Sequence, residues 1–300
     1  MAGMDTALIL IPDFLLILFG FALRRSGWLA PAFWGEAEKF VYFVLFPPLL
    51  FRALARAQLD LAASLPMLAA GLLFTACAFA LGSAAKPLFR LPQPSFAAGN
   101  QGAYRFNTYV GFAVMGTLAG EPGIATIALL CGSMVPVVNV MAVGQLAHGS
   151  ERGMLYELLR NPIIWGICSG LAANLSGLPI PGPLFAAIDH LAAAALPLGL
   201  ITVGAGLRFA ALRRHAGPLL YWNAIKLLLL PAIAVLATGL LGVSGIYRQA
   251  ALVMSMLPTA TSAYILAVRM QGDGELAAAV VTTSTLAAMV TMPLLLVLLL

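Results

Sequence analysis

Polar residues that stand inside otherwise apolar stretches concentrate in two short runs. Tyr104-Arg-Phe-Asn-Thr-Tyr-Val-Gly111 carries Arg105, Asn107, Thr108 and Tyr109, and Leu257-Pro-Thr-Ala-Thr-Ser-Ala-Tyr264 carries Pro258, Thr259, Thr261 and Ser262. Pro258 has no N–H to donate and its ring clashes with the preceding turn, so it breaks a helix. Asn and Thr are good N-caps, so Asn107 or Thr108 can start a second half-helix. A helix start presents unpaired N–H groups and roughly half a positive charge. Two such starts facing one point, surrounded by hydroxyls and an amide, suit an anion. Arg105 either adds its planar fork of donors to a carboxylate or snorkels to an interface or binds backbone carbonyls. Asn139, in Ser133-Met-Val-Pro-Val-Val-Asn139, either joins the site or stitches two helices together, because a buried amide needs partners.

Other chemistries find no matching residues. The histidines are His148, His190 and His215, and Cys77, Cys131 and Cys168 have no metal-ligand spacing. No nucleophile elbow and no phosphate loop occurs, which excludes an ATP-driven pump within this chain. No enzyme, cofactor or metal site is expected. Asp13 and the pair Asp189-His190 are either proton relays or interfacial residues. Glu36, Glu38 and Lys39 read as a solvated segment end, and Lys226 either meets substrate as Arg105 could or is an anchor near another, cytoplasmic end.

The elements that must position these residues are membrane helices. Hydrophobic residues make up 62% of the 300-residue chain and charged residues 9%, with mean hydropathy +0.99. Soluble domains average about 25% charged residues. The net charge of +5 comes from cations between apolar segments, so it speaks for orientation and against nucleic acid. Spans need about 20 mostly apolar residues. Ten candidates fit: 6–23, 36–55, 62–83, 96–119, 123–147, 160–177, 184–207, 217–242, 248–270 and 275–300. Loops after odd-numbered spans hold Arg24, Arg25, Lys86, Arg90, Arg152, Arg160, Arg208, Arg213, Arg214 and Arg269, against Arg52, Arg56 and Arg248 on the other side. That bias places the odd loops in the cytoplasm and both termini outside it. The expected location is the inner (plasma) membrane, in contact with lipid.

The chain also repeats weakly. A shift of 150 residues lays Pro12 on Pro162, Gly20 on Gly170, Ser26-Gly27 on Ser176-Gly177 and Pro47 on Pro197. A shift of 152 lays Gly120-Glu121 on Gly272-Asp273 and Asn107 on Thr259. We therefore read residues 1–300 as a single membrane domain with repeat one at 1–148 and repeat two at 160–300. Five spans per repeat is odd, so the second copy is inverted. Gly116-x-x-x-Gly120 and Gly166-x-x-x-Gly170 permit close helix approach.

Four stretches carry a family likeness: Arg105-Phe-Asn-Thr-Tyr-Val-Gly111 with Gly120-Glu121, Asn161-Pro-Ile-Ile with Gly170, Leu196-Pro-Leu-Gly-Leu-Ile-Thr-Val-Gly-Ala-Gly-Leu207, and Leu257-Pro-Thr-Ala-Thr-Ser-Ala-Tyr-Ile-Leu-Ala267. In this order they resemble the auxin efflux carrier family, which includes plant auxin exporters and bacterial carriers for malonate and related acids. The resemblance implies an all-α integral membrane protein. Its ten transmembrane helices form two inverted five-helix repeats with crossed, broken helices 4 and 9, a bile acid sodium symporter-like fold. It implies a homodimer, an elevator-type movement and a small organic anion as substrate; the residues leave H+ or Na+ as coupling ion, or the membrane potential alone, as the driving force. By position, Asn107 and Thr108 match the polar step of the first crossover and Pro258 that of the second. The chain has Phe106 where plant carriers tend to have proline and Ser262 where many bacterial relatives have Asn. Only about 12 residues join its halves, which suits the bacterial type. The alternative is a sodium-coupled symporter of a larger amphipathic organic anion.

Overall fold

The computed structural model describes residues 10–57, 60–146, 161–177, 179–209 and 215–300. Among them every regular element is helical: α1 (Ile11–Arg25), α2 (Pro31–Phe40), α3 (Phe46–Ala55), α4 (Leu61–Ser83), α5 (Ala85–Leu88), α6 (Gln93–Tyr104), α7 (Thr108–Leu146), α8 (Pro162–Ser176), α9 (Gly182–Ala205), α10 (Ala216–Ala224), α11 (Leu230–Leu240), α12 (Gly245–Met256), α13 (Ser262–Arg269) and α14 (Gly274–Leu299). Arg152, Arg160, Arg213, Arg214 and His148, which carry part of the orientation argument and one histidine, lie outside the described residues.

Among the described residues, five apolar stretches are long enough to cross a membrane: Ala62–Leu88, Gln93–Leu146, Gly182–Ala205, Ala216–Leu240 and Gly274–Leu299. Large apolar side chains stand on the outer surface, Leu240 83% and Leu220 73% exposed among them. Such a surface would drive aggregation in water and suits hydrocarbon. The chain is a multi-pass membrane protein. The 54 residues of Gln93–Leu146 would reach about 80 Å as one straight helix, far beyond a bilayer core of about 30 Å. Two interruptions resolve this. One lies between Tyr104 and Thr108, and the other is Gly120, whose φ of 61° and ψ of −147° kink α7. A glycine is needed there because side chains are strained at that backbone conformation.

Proline shapes two more helices. Pro47 and Pro231 lack the N–H that would reach back four residues, and each follows a five-residue π turn, Val41–Leu45 between α2 and α3 and Ile225–Leu229 between α10 and α11. A π turn lets the chain bypass the missing donor without ending the helix.

Packing pairs the helices in a regular scheme. α1 lies on α9 and α8 on α3; α4 meets α6 as α11 meets α12; and α4 lies against α11. In terms of the ten expected segments, the first pairs with the seventh and the sixth with the second, while the third and eighth pair with each other. Exchanging each segment with the one five places away returns the same set. The α1–α9 crossing is nearly backbone to backbone. A Cβ on Gly20 would lie 2.0 Å from the Ile201 carbonyl oxygen, and one on Gly204 would lie 1.8 Å from that of Ile17. The expected close approach at Gly166 and Gly170 is likewise present, against Pro47 and Leu54.

Candidate functional site

The site forms where the break between α6 and α7 meets a second break, between α12 and α13. α6 ends at Tyr104, Arg105 is extended (φ −75°, ψ 152°), and α7 restarts at Thr108. α12 ends at Met256, and Leu257 is extended (φ −63°, ψ 143°), as expected of a residue before proline. The chain stays non-helical until α13 begins at Ser262. The freed backbone groups then satisfy one another. Asn107 N–H donates to the Pro258 carbonyl at 2.8 Å. Thr259 N–H donates to Ser284 Oγ at 3.1 Å, and its hydroxyl donates to the Gly102 carbonyl at 3.0 Å. Irregular backbone at membrane depth survives only with this kind of internal satisfaction.

Asn107 does two jobs with one amide. Its Oδ1 accepts from Tyr109 N–H at 3.1 Å and Val110 N–H at 3.4 Å, capping α7. Because the oxygen must face those donors, Nδ2 faces the other way. There it is buried and has no hydrogen-bond partner. An unpaired buried donor costs about 1–3 kcal/mol, so the fold holds a donor in reserve at the crossing point.

A cavity of about 1520 Å³ opens beside the crossing. Of the residues singled out in the sequence, Arg105, Asn107, Thr108, Tyr109, Asn139, Thr261 and Ser262 line it. Pro258 and Thr259 do not. They stand behind the wall, with Thr259 fully buried and its hydroxyl committed to Gly102. Arg105 is 5% exposed. Its guanidinium donates to Gln101 Oε1 at 2.8 Å and to Asn139 Oδ1. Both partners are neutral amides, so the head is held at the cavity and does not reach for an interface. Asn139 thus positions Arg105 and lines the cavity at once.

Four of the wall residues, Glu38, Tyr42, Arg208 and Tyr264, had no site role in the sequence reading. Trp34, Glu38 and Tyr42 are spaced by four, so they share one helical face, and all three line the cavity. That spacing was the available signal. Glu36 and Lys39 behave as the expected solvated end, pairing with each other at 2.8 Å on the exposed face. Glu38 corrects the expectation: it turns inward, and its Oε1 accepts from the Thr261 hydroxyl at 2.7 Å. Arg208 donates to Tyr264 OH at 2.9 Å and stacks on that ring, 4.4 Å from its centre. Arg24, Lys39, Arg105, Arg208 and Arg269 are the cations of the described wall, and Glu38 is its one carboxylate.

Residues outside this site also find their places. Lys226 is not near a solvated end: it is 1% exposed, inside the π turn Ile225–Leu229, and does not line the cavity. Asp189 lies 3.9 Å from Arg52, which pairs with Glu121 at 2.5 Å. Among the described residues no cluster of His, Cys, Asp or Glu is arranged to hold a metal.

Crossed helix breaks beside a cation-lined cavity, in a multi-pass helical chain, are the construction of a membrane transporter. Comparison with known proteins agrees. The chain belongs to the family described as membrane transport protein, the auxin efflux carriers, whose model matches residues 145–296. A Rhizobium meliloti protein named "Putative malonate transporter" is 27% identical over 313 residues, covering 94% of this chain and 92% of that one. A Methanothermobacter thermautotrophicus protein named "Uncharacterized transporter" is 23% identical over 288 residues, covering 93% of each. The chain is a transporter and not an enzyme.

Proposed function

We propose that this chain is a secondary transporter, active or facilitative, for a small organic anion, a mono- or dicarboxylate of malonate size. One observation carries the reading: Asn107 lines the cavity at the crossing of the two helix breaks, and its buried Nδ2 has no partner. A substrate carboxylate there would take that donor, the starts of α7 and α13 and the charge of Arg105. The malonate in the name of the Rhizobium meliloti relative supports this size class.

In the same reading the ten helical segments form two inverted repeats and work by elevator-type alternating access. α1, α2, α3, α8 and α9 form one body, against which the crossover moves. The exchange symmetry of the helix pairs supports this division. The cavity is lined by Arg24, Arg208 and Arg269, which belong to the cation-rich loops, so it faces the cytoplasm in this state. Both termini are then outside the cytoplasm, in the inner membrane. The protein works as a homodimer. A sodium-coupled symporter of a larger anion is the weaker reading. Asn107 Oδ1 and Asn139 Oδ1 already accept hydrogen bonds, and Thr259 does not line the cavity, which leaves few amide and hydroxyl oxygens for a cation.

The test is uptake into proteoliposomes of a panel of labelled mono- and dicarboxylates under separate pH and sodium gradients. Saturable uptake of small carboxylates without sodium is expected. Strict sodium dependence, with uptake of bulky amphipathic anions alone, would overturn the assignment.

A further inference from the structure

Glu38 is a cavity group to which anion binding assigns no role. It lies on α2 and meets the crossover through the Thr261 hydroxyl, 223 residues away in sequence and 2.7 Å away in space. Thr261 precedes α13, where a threonine oxygen ordinarily accepts from the first N–H groups of the helix. Here it makes no such cap, and its hydroxyl points outward to a carboxylate. The α13 end of the crossover therefore already holds a carboxylate, while at the α7 end Asn107 Nδ2 has no partner.

A substrate carboxylate bound between these two ends would lie beside Glu38. When two carboxylates share a site, one of them keeps its proton to higher pH. The other ionisable groups on the described wall are Arg24 from α1, Lys39 and Tyr42 from α2 and its π turn, Arg105 and Tyr109 around the first break, Arg208 after α9, and Tyr264 and Arg269 from α13. Arginine, lysine and tyrosine ordinarily titrate well above neutral pH, and no histidine lines the described wall. Glu38 is the wall group with the chemistry to take a proton when an anion arrives.

We propose that Glu38 is the proton-binding residue of the transport cycle, an internal anion at Thr261 that gives way to substrate by becoming protonated. The inference rests on the anion-carrier reading and extends it to the coupling ion. With no substrate, the Glu38 carboxylate holds Thr261 and ties α2 to the crossover. As a substrate carboxylate binds, one proton from the aqueous phase facing the cavity joins the Glu38 carboxylate to form the neutral acid. Anion and proton then occupy the site together. Protonation also weakens the tie between α2 and the moving segment.

The experiment has two arms on the purified protein. Calorimetry with malonate above neutral pH, where malonate is fully ionised, is run in buffers of different ionisation enthalpy. The wild type is expected to take up about one proton per malonate bound, by linkage between anion binding and protonation of Glu38. Glu38→Gln is expected to take up none, and Glu38→Asp to restore most of the uptake. A role for Glu38 in structure alone would change affinity but leave the proton number the same in all three. Equal proton numbers in wild type and Glu38→Gln, or none in wild type, overturn the proposal. The second arm needs no substrate. Infrared difference spectra of wild type minus Glu38→Gln, across the pH range in which both stay folded, are expected to show a carboxyl band growing as pH falls. Its absence overturns the proposal whatever malonate does. If malonate does not bind the wild type, the choice of anion fails, and the infrared arm still decides whether Glu38 can carry the proton.

Discussion

Asn107 carries two separable roles, because its oxygen caps α7 while its nitrogen faces the crossing point. Substitutions can divide them. Asn107→Ala removes both, so anion affinity is expected to fall roughly 10–100-fold, the equivalent of losing a hydrogen bond to a charged group. The same variant loses about 1 kcal/mol of stability with the cap. Asn107→Asp keeps a capping oxygen and places a negative charge where the anion would sit. It is expected to melt near the wild type and yet to lose binding altogether. Thermal unfolding and equilibrium binding, measured side by side, check both. If Asn107→Asp binds a carboxylate as tightly as wild type, the amide nitrogen is not a ligand. Arg105 makes a related point. Lysine in its place keeps the charge but cannot reach Gln101 and Asn139 with one planar fork. Arg105→Lys is expected to raise KM more than it lowers the maximal rate in labelled-carboxylate uptake. Arg105 and Asn107 were legible as site residues because polar groups in apolar stretches are conspicuous. Glu38 was not, because its distance from the Glu36–Lys39 ion pair lies in the direction of its side chain and not in its position along the chain.

At the scale of elements, the two breaks have different causes. The second follows from Pro258, which removes a donor and forces Leu257 to extend. The first has no proline. It rests on the Asn107 cap and on the bond from Asn107 N–H to the Pro258 carbonyl, so it depends on its partner break. Pro258→Leu is expected to let α12 continue further, withdraw that carbonyl and abolish transport in proteoliposomes. Wild-type rates from a correctly folded Pro258→Leu protein would refute the crossover as the site. Thr259 supports the same junction from behind the wall. Thr259→Val leaves the Gly102 carbonyl without its donor, at a cost of about 1–3 kcal/mol. A lower unfolding temperature with nearly unchanged anion affinity is expected. A large loss of affinity with unchanged stability would make Thr259 a ligand after all. The positions of the breaks could be read from residue types, since caps and prolines act over a few residues. The division between wall and backing could not, because Thr259 and Thr261 differ only in which way their hydroxyls face.

For the whole molecule, two polar ties lie at opposite ends of the α2–α3 rod. Glu38 meets Thr261 at the cavity, and Arg52, about 20 Å further along at helical rise, meets Glu121 at the kink of α7 at 2.5 Å. The second tie joins α3 to the crossover-bearing helices on the side away from the cavity. Arg52 and Glu121 are 21% and 52% exposed, so their pairing is worth at most about 1 kcal/mol. Under the proposed alternating access, Arg52→Ala is therefore expected to shift the balance between the two openings by no more than about five-fold. In a cysteine-free background, thiol labelling of Ser262→Cys from the cavity side reports the shift, and it should slow when Arg52 is lost. Unchanged labelling would show that this tie does not bias the equilibrium.

Amino-acid sequence by itself determined that the chain is helical and membrane-embedded, where its helices break, and that Asn107 or Thr108 caps the first new start. These features depend on apolar length, missing N–H groups and side chains that reach their own backbone within a few residues. Tertiary structure alone decided that the two breaks touch, that Asn107 keeps an unpaired donor there, and that Glu38 faces Thr261 across 223 residues of chain. Those outcomes depend on which backbones can approach closely enough to exchange hydrogen bonds. In this protein that is set by the packing of helices distant in sequence, such as α1 on α9 at Gly20 and Gly204.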